Sequence, residues 1–204
     1  MAAAGTVRAY IGLGANVGDP RRTLTAAVHA LSALPGVRLA GVSSLYMTRP
    51  VEVLDQPDFT NAVVALDVPA GPGADLETGA LALLVALKSI ERAFGRVERF
   101  RYGPRELDLD LLLFGEARLA VERPEEGRSL DPEKAARLLE VPHPEARRRL
   151  FVLAPLAELA PDLVPPGWDE TVAAARVRRE AAEGGSAVRR VARWDASAGE
   201  WRDL

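Results

Sequence analysis

The chain contains no cysteine, which excludes disulfides, thiol nucleophiles and cysteine-based zinc sites. Lysine is nearly absent: of 26 basic residues, all but Lys88 and Lys134 are arginine. Lys88 follows "LVAL" and Lys134 follows "LDPE", so neither completes a G-x-x-x-x-G-K-[ST] loop. A nucleotide, if one is handled, is handled without a P-loop. Long apolar runs are also missing. The longest, "ALALLVAL" at 80–87, falls far short of the roughly 18 residues that span a bilayer. Nor is there a large charge of one sign: the formal net charge of −3 does not suit a protein that coats nucleic acid or an anionic membrane. The start, "MAAAGTVRAYIGLG", lacks the charged head and apolar centre of a signal peptide. These absences read as a soluble, cytoplasmic protein with neither a nucleic-acid nor a membrane partner.

What is present is ample core material, 48% hydrophobic residues in a chain of 204, enough for one domain with an extension. "VRAYIGLG" (7–14) reads as a first strand. Asp19 and Pro20 then supply an N-cap and a first-turn proline for an amphipathic helix over 20–34, with Leu24, Ala27, Val28, Leu31 and Leu34 at helical spacing. A second strand, irregular near Gly41, covers "VRLAGVSSLYMT", and a third runs from 60 to 68. A second helix spans about 75–94, and "DLDLLLF" is a further strand. The order β-α-β-β-α-β predicts an α+β, ferredoxin-like fold with a mainly antiparallel sheet. Beyond it the sequence predicts a short helix over about 131–140, a helical or mixed segment over 145–162, a helix over 169–183 and a strand "AVRRVARW". The composition changes near 165, and all three tryptophans fall after it. We divide the chain into a domain at 1–166 and a C-terminal helix-and-strand extension at 167–204.

Asp108 and Asp110 stand out because they interrupt the most leucine-rich stretch. Residues i and i+2 of a strand share a face, so both carboxylates project one way, about 6.5–7 Å apart, while Leu107, Leu109, Leu111 and Leu113 line the other. Like charges that close call for a shared proton, arginine partners or bound cations. Oxygen-only ligation favours Mg²⁺. Arg96, Arg99, Arg101 and Arg105 precede the pair, and guanidinium forks fit phosphate oxygens. The other reading is a solvated edge strand with structural arginine pairs. "GLGANVGD" has G-x-G-x-x-x-G spacing and no acidic residue over 23–42, so it is a strand–helix turn and not a dinucleotide fingerprint. His29 lies off the apolar stripe of its helix and reads as surface. His143, between two prolines and ahead of three arginines, is either structural or a phosphate contact. "DQPDFTNA" is either a hairpin or a stacking surface with a hydrogen-bonding edge for a flat heterocycle.

Together these segments resemble the 6-hydroxymethyl-7,8-dihydropterin pyrophosphokinases of folate biosynthesis. The resemblance runs through "AYIGLGANVGD", "SSLYMTRP", "DQPDFTNAVV", "RYGPRELDLDLLLFG" and "VPHPEARRRLFVLAPLAELAPD", over about 9–162. It implies transfer of a pyrophosphoryl group from ATP to the pterin, releasing AMP, with two Mg²⁺ ions held by Asp108 and Asp110. Arg96 and Arg105 would stabilise the transferring group. Lys88, Glu91, Arg101, Leu111, His143 and Arg149 match nucleotide-side positions, together with Arg105. Phe59 and Phe151 would sandwich the pterin and Asn61 would bond its edge. Thr48, Val51 and Tyr102 would complete that pocket. A monomer is expected rather than an oligomer. The residues alone remain compatible with another two-metal nucleotide transferase, or with a protein that binds pterin or nucleotide without turnover.

Overall fold

The structure is a computed structural model and describes residues 5–50, 55–95, 103–128, 138–184 and 187–204. Strand β1 (Thr6–Ala15) leads into helix α1 (Pro20–Ser32), then β2 (Arg38–Val42), β3 (Leu45–Thr48), β4 (Phe59–Pro69), α2 (Leu76–Ala93) and β5 (Asp108–Phe114). A two-stranded ribbon of β6 (Leu119–Val121) and β7 (Leu139–Val141) follows. Then come α3 (Leu150–Leu159), α4 (Val172–Glu183) and a hairpin of β8 (Val188–Asp195) and β9 (Glu200–Asp203).

Strands β1, β2/β3, β4 and β5 form an antiparallel sheet in the order β5-β1-β4-(β2, β3). This is the ferredoxin-like arrangement that the sequence predicts. The irregularity expected near Gly41 is a register shift between Leu39 and Gly41, and Ser43–Ser44 then divides the predicted second strand into β2 and β3. β2 pairs with one half of β4 and β3 with the other. The C-terminal hairpin pairs along the outer edge of β3, so the sheet continues through β8 to β9.

Local chemistry places the helices. Asp19 caps α1 by accepting from the Arg22 N–H, and Asp75 caps α2 through the Glu77 N–H. Leu24, Ala27, Val28 and Leu31 of α1, and Ala80, Leu83, Leu84 and Leu87 of α2, pack on alternate residues of β1 and β4. A second core fills the opposite face, where Tyr10, Val63, Ala65, Leu112 and Leu113 meet α3 and α4. Sandwiched between sheet and α4, α3 is apolar nearly all round, which is why its sequence lacks an amphipathic period. No helix among the described residues is long and apolar enough to cross a membrane.

Three expectations need correction. Leu113 does not share a face with Leu107, Leu109 and Leu111. Ile11 pairs with Leu111 but Tyr10 with Leu113, so Leu112 bulges and the alternation slips; Leu113 then joins the α3-side core, and Phe114 takes its place on the α1–α2 side. The helix expected to reach Glu140 gives way to strand β7 at Leu139, and the greater part of that helix lies outside the described residues. The single C-terminal strand is a hairpin, with β9 unforeseen.

Candidate active site

The sheet register arranges the site. Across the face that α3 covers only in part, Asp108 of β5 pairs with Gly14 of β1, Gly14 with Asn61 of β4, and Asn61 with Tyr46 of β3. One residue-pair along, Asp110 faces Gly12. Paired residues project to the same side, so the two aspartates stand at one end of a shallow floor and Asn61 at the other. One strand separates Asp108 from Asn61, a backbone distance of about 9–10 Å at normal strand spacing. Glycine keeps the floor low in between: a Cβ on Gly14 would lie 3.2 Å from Asn61 Oδ1, a tight contact that would push on the amide.

At the carboxylate end, Arg105 pairs with Asp108 through Nη1. No ion pair reaches Asp110 among the described residues, and no cluster of three or more His, Asp or Glu side chains forms there. Two carboxylates projecting from one strand with a bare glycine opposite suit a hard cation, whose other positions substrate oxygens and water would fill. His143 approaches from the loop after β7, its N–H bonded to the carbonyl of the bulged Leu112 at 2.8 Å. Burial holds its imidazole below the ordinary value, against the opposing pull of Asp110. Nδ1 accepts the Glu145 N–H at 3.2 Å, so in the neutral ring Nε2 carries the proton and is the donor. Arg149 precedes α3, with its guanidinium 5.7 Å from the centre of the Phe151 ring.

At the other end, Asn61 Nδ2 donates to Thr48 Oγ1 at 2.9 Å, which fixes the amide orientation. Asn61 and Thr48 are buried, and Phe59, the register partner of Thr48, is half-buried on the same face. Phe151 is half-buried in the first turn of α3.

Lys88, Glu91 and Leu111 stand behind β5, on the α2 side. Lys88 Nζ bonds Glu91 Oε1 at 2.7 Å and the Leu109 carbonyl at 3.0 Å, while Glu91 Oε1 also accepts the Leu109 N–H at 2.7 Å. The pair thus satisfies the outer edge of β5 at the residue between the two aspartates. Leu111 is a core residue. Val51, Arg96, Arg101 and Tyr102 lie outside the described residues. His29 is exposed, as expected, and bonds the Gly199 carbonyl at 2.7 Å. A separate cavity of about 730 Å³ borders His143, walled also by Arg118, Arg147 and Trp168, but it includes neither aspartate. Asp169 and Glu170 pair with its Arg147.

Sequence reasoning missed Asn16. Its side chain accepts the Arg105 N–H at 2.8 Å and donates to Gln56 Oε1 at 3.0 Å and the Pro57 carbonyl at 3.1 Å. Its own N–H donates to the Arg105 carbonyl at 3.0 Å. One buried amide therefore ties the loop that delivers Arg105 to the loop that delivers Phe59. The only local signal was an amide just after a strand, and its partners are 40 to 89 residues distant.

Known proteins resemble this chain in sequence and in fold. The family model described as 7,8-dihydro-6-hydroxymethylpterin-pyrophosphokinase matches residues 10–161. The 2-amino-4-hydroxy-6-hydroxymethyldihydropteridine pyrophosphokinase of Pseudomonas aeruginosa is 45% identical over 159 residues, 78% of this chain and 84% of that protein. Its namesake in Methylorubrum extorquens is 42% identical over 165 residues, covering 81% and 89%. Among solved structures, wild-type HPPK-DHPS of Plasmodium falciparum superposes with a TM-score of 0.70 at 14% identity, a likeness of fold, over 98% of this chain. The chain spans about half that protein's length, 50%. With the match running from within β1 to the end of α3, and the aspartate strand, the Asn61 wall and the His143 loop all inside it, the chain belongs to the 7,8-dihydro-6-hydroxymethylpterin-pyrophosphokinase family.

Proposed function

We propose that the protein transfers a diphosphoryl group from ATP to the hydroxymethyl oxygen of 6-hydroxymethyl-7,8-dihydropterin, releasing AMP. The observation that carries this reading is the row Asp108–Gly14–Asn61 on one face of the sheet. It offers a carboxylate pair for phosphate-bound cations and, about 10 Å away, an oriented amide for a heterocycle edge. In the reaction the pterin oxygen bonds to the β-phosphorus, and the bond from that phosphorus to the α–β bridging oxygen breaks.

Phe59 and Phe151 hold the pterin ring from its faces. Asn61, oriented by Thr48, reads its edge, and Val51 and Tyr102 serve pterin binding with it. Arg149, Arg101 and the Nε2–H of His143 bind the ATP phosphates. Arg105, with Arg96, stabilises the negative charge that grows on the transferring group. Lys88 and Glu91 serve the nucleotide end by fixing Leu109, and Leu111 backs it. Asp108 and Asp110 would hold two Mg²⁺ ions. Those ions supply charge neutralisation of the phosphates and a lower pKa for the attacking hydroxyl.

Residues 1–166 carry this chemistry, in a cytoplasmic monomer whose partners are the two small substrates alone. The test is product analysis with purified protein, ATP, Mg²⁺ and the pterin. AMP that requires both pterin and Mg²⁺ supports the reading. ADP instead of AMP would mean simple phosphoryl transfer, and tight binding with no product would mean a binding protein.

A further inference from the structure

Strand β3 is only four residues long and joins β2 through Ser43 and Ser44, where pairing with β4 is interrupted. Such a joint would be free to slide unless its polar groups were engaged elsewhere. All of them are. The Ser43 N–H donates to the Val63 carbonyl at 2.9 Å, and Ser43 Oγ accepts the Val63 N–H and donates to the Ser44 carbonyl, each at 2.9 Å. The Ser43 carbonyl accepts Trp201 Nε1–H at 2.8 Å. The Ser44 N–H donates to Glu158 Oε2 at 2.7 Å, and Ser44 Oγ accepts from Arg190 Nε at 2.7 Å.

Three of these anchors come from beyond β4. Glu158 lies in the last turn of α3, and Arg190 and Trp201 lie on the C-terminal hairpin. The same Glu158 carboxylate accepts the Tyr46 hydroxyl at 2.6 Å and sits 3.4 Å from Arg190 Nε. Burial raises the Tyr46 phenol above its ordinary range, with the bond to Glu158 adding to this. Tyr46 pairs in register with both Asn61 and Arg190, and Thr48, two residues on, takes the Asn61 amide. The position of the joint therefore sets the wall formed by Thr48 and Asn61.

We infer that Glu158 and Arg190 are positioning residues for the pterin wall, and that the C-terminal hairpin serves the reaction through them. This rests on the reading that Thr48 and Asn61 meet the pterin. A merely structural role would lower stability without distinguishing the two substrates; a positioning role separates them.

The test compares Arg190→Ala, Arg190→Lys, Glu158→Gln and the double variant Glu158→Gln/Arg190→Ala with the parent protein, measuring kcat and the KM for pterin and for ATP. The pterin KM is expected to rise about three- to tenfold in each single alanine or glutamine variant, with the ATP KM within twofold. Arg190→Lys should recover at least half of the effect. The double variant should fall short of the product of the singles, because both act through one joint. Equal rises for both substrates, or unchanged KM values alongside a lowered melting temperature, would overturn the inference. A parent that forms no AMP refutes the proposed function alone. The inference is then decided by NMR of the Thr48 backbone amide and the Asn61 side-chain amide, whose resonances should move in Arg190→Ala and whose constancy would overturn it.

Discussion

Replacing Asp110 by asparagine should make the free protein more stable and inactive at once. Asp108 and Asp110 leave the same face of β5 about 7 Å apart. Two unit charges at that distance repel by about 2.4 kcal/mol at an effective dielectric of 20, and by about 0.6 kcal/mol in water. Arg105 lies on Asp108 and offsets part of this. The relief on neutralising Asp110 is then about 1 kcal/mol, and asparagine leaves no cavity because it has the same shape. For a chain of 204 residues that raises Tm by about 2–4 °C. Calorimetric melts with and without Mg²⁺ and a non-hydrolysable ATP analogue, beside AMP formation by the same samples, provide the assay. The parent should melt lower alone and gain strongly from the ligands; Asp110→Asn should start higher, gain little and turn over at least a hundredfold more slowly. A free variant that melts at or below the parent, or one that keeps turnover within tenfold, would refute the argument that the pair is a site held against its own repulsion.

Other outcomes follow from other parts of the molecule. Asn16→Ala removes three side-chain hydrogen bonds, worth about 2–3 kcal/mol together; it should cut kcat/KM by more than tenfold, since both loops it joins feed the site, and steady-state kinetics with a melt would check both effects. Trp201, 2% exposed and edge-on to Trp194 at 4.7 Å, should cost about 3–5 kcal/mol when replaced by alanine. Denaturant unfolding would show one transition at a lower midpoint, whereas a loss below 1 kcal/mol would make the hairpin an appendage. Asp67 is held below its ordinary value of 3.8, chiefly by the hydrogen bond from Arg8, with Arg38 assisting. A depressed carboxylate stabilises the fold above its unfolded pKa and loses that contribution as pH falls through the folded one. Parent and Asp67→Asn should therefore differ by about 0.5–1 kcal/mol at neutral pH and converge in melts taken well below pH 3.8.

What the sequence determined by itself was the local and the periodic. The helical spacing of Leu24, Val28 and Leu31, the cap at Asp19, and the alternation around Asp108 and Asp110 depend on neighbours within a few residues. They give the β-α-β-β-α-β order and put both carboxylates on one face. The slip that moved Leu113 to the other core was not legible, because a bulge is a relation between two strands and β1 is distant in sequence. The same holds for the floor. Nothing local says that Gly14 lies between Asp108 and Asn61, or that Asn16 binds the loops on either side. Only the tertiary structure decided that the last 18 residues extend the sheet and lock Ser43 and Ser44, 146 to 158 residues earlier. Hydrophobic periodicity is written in every turn of the chain, but hydrogen-bond partners are chosen where the buried backbone leaves a donor or acceptor to satisfy, and that is settled only once the layers have met.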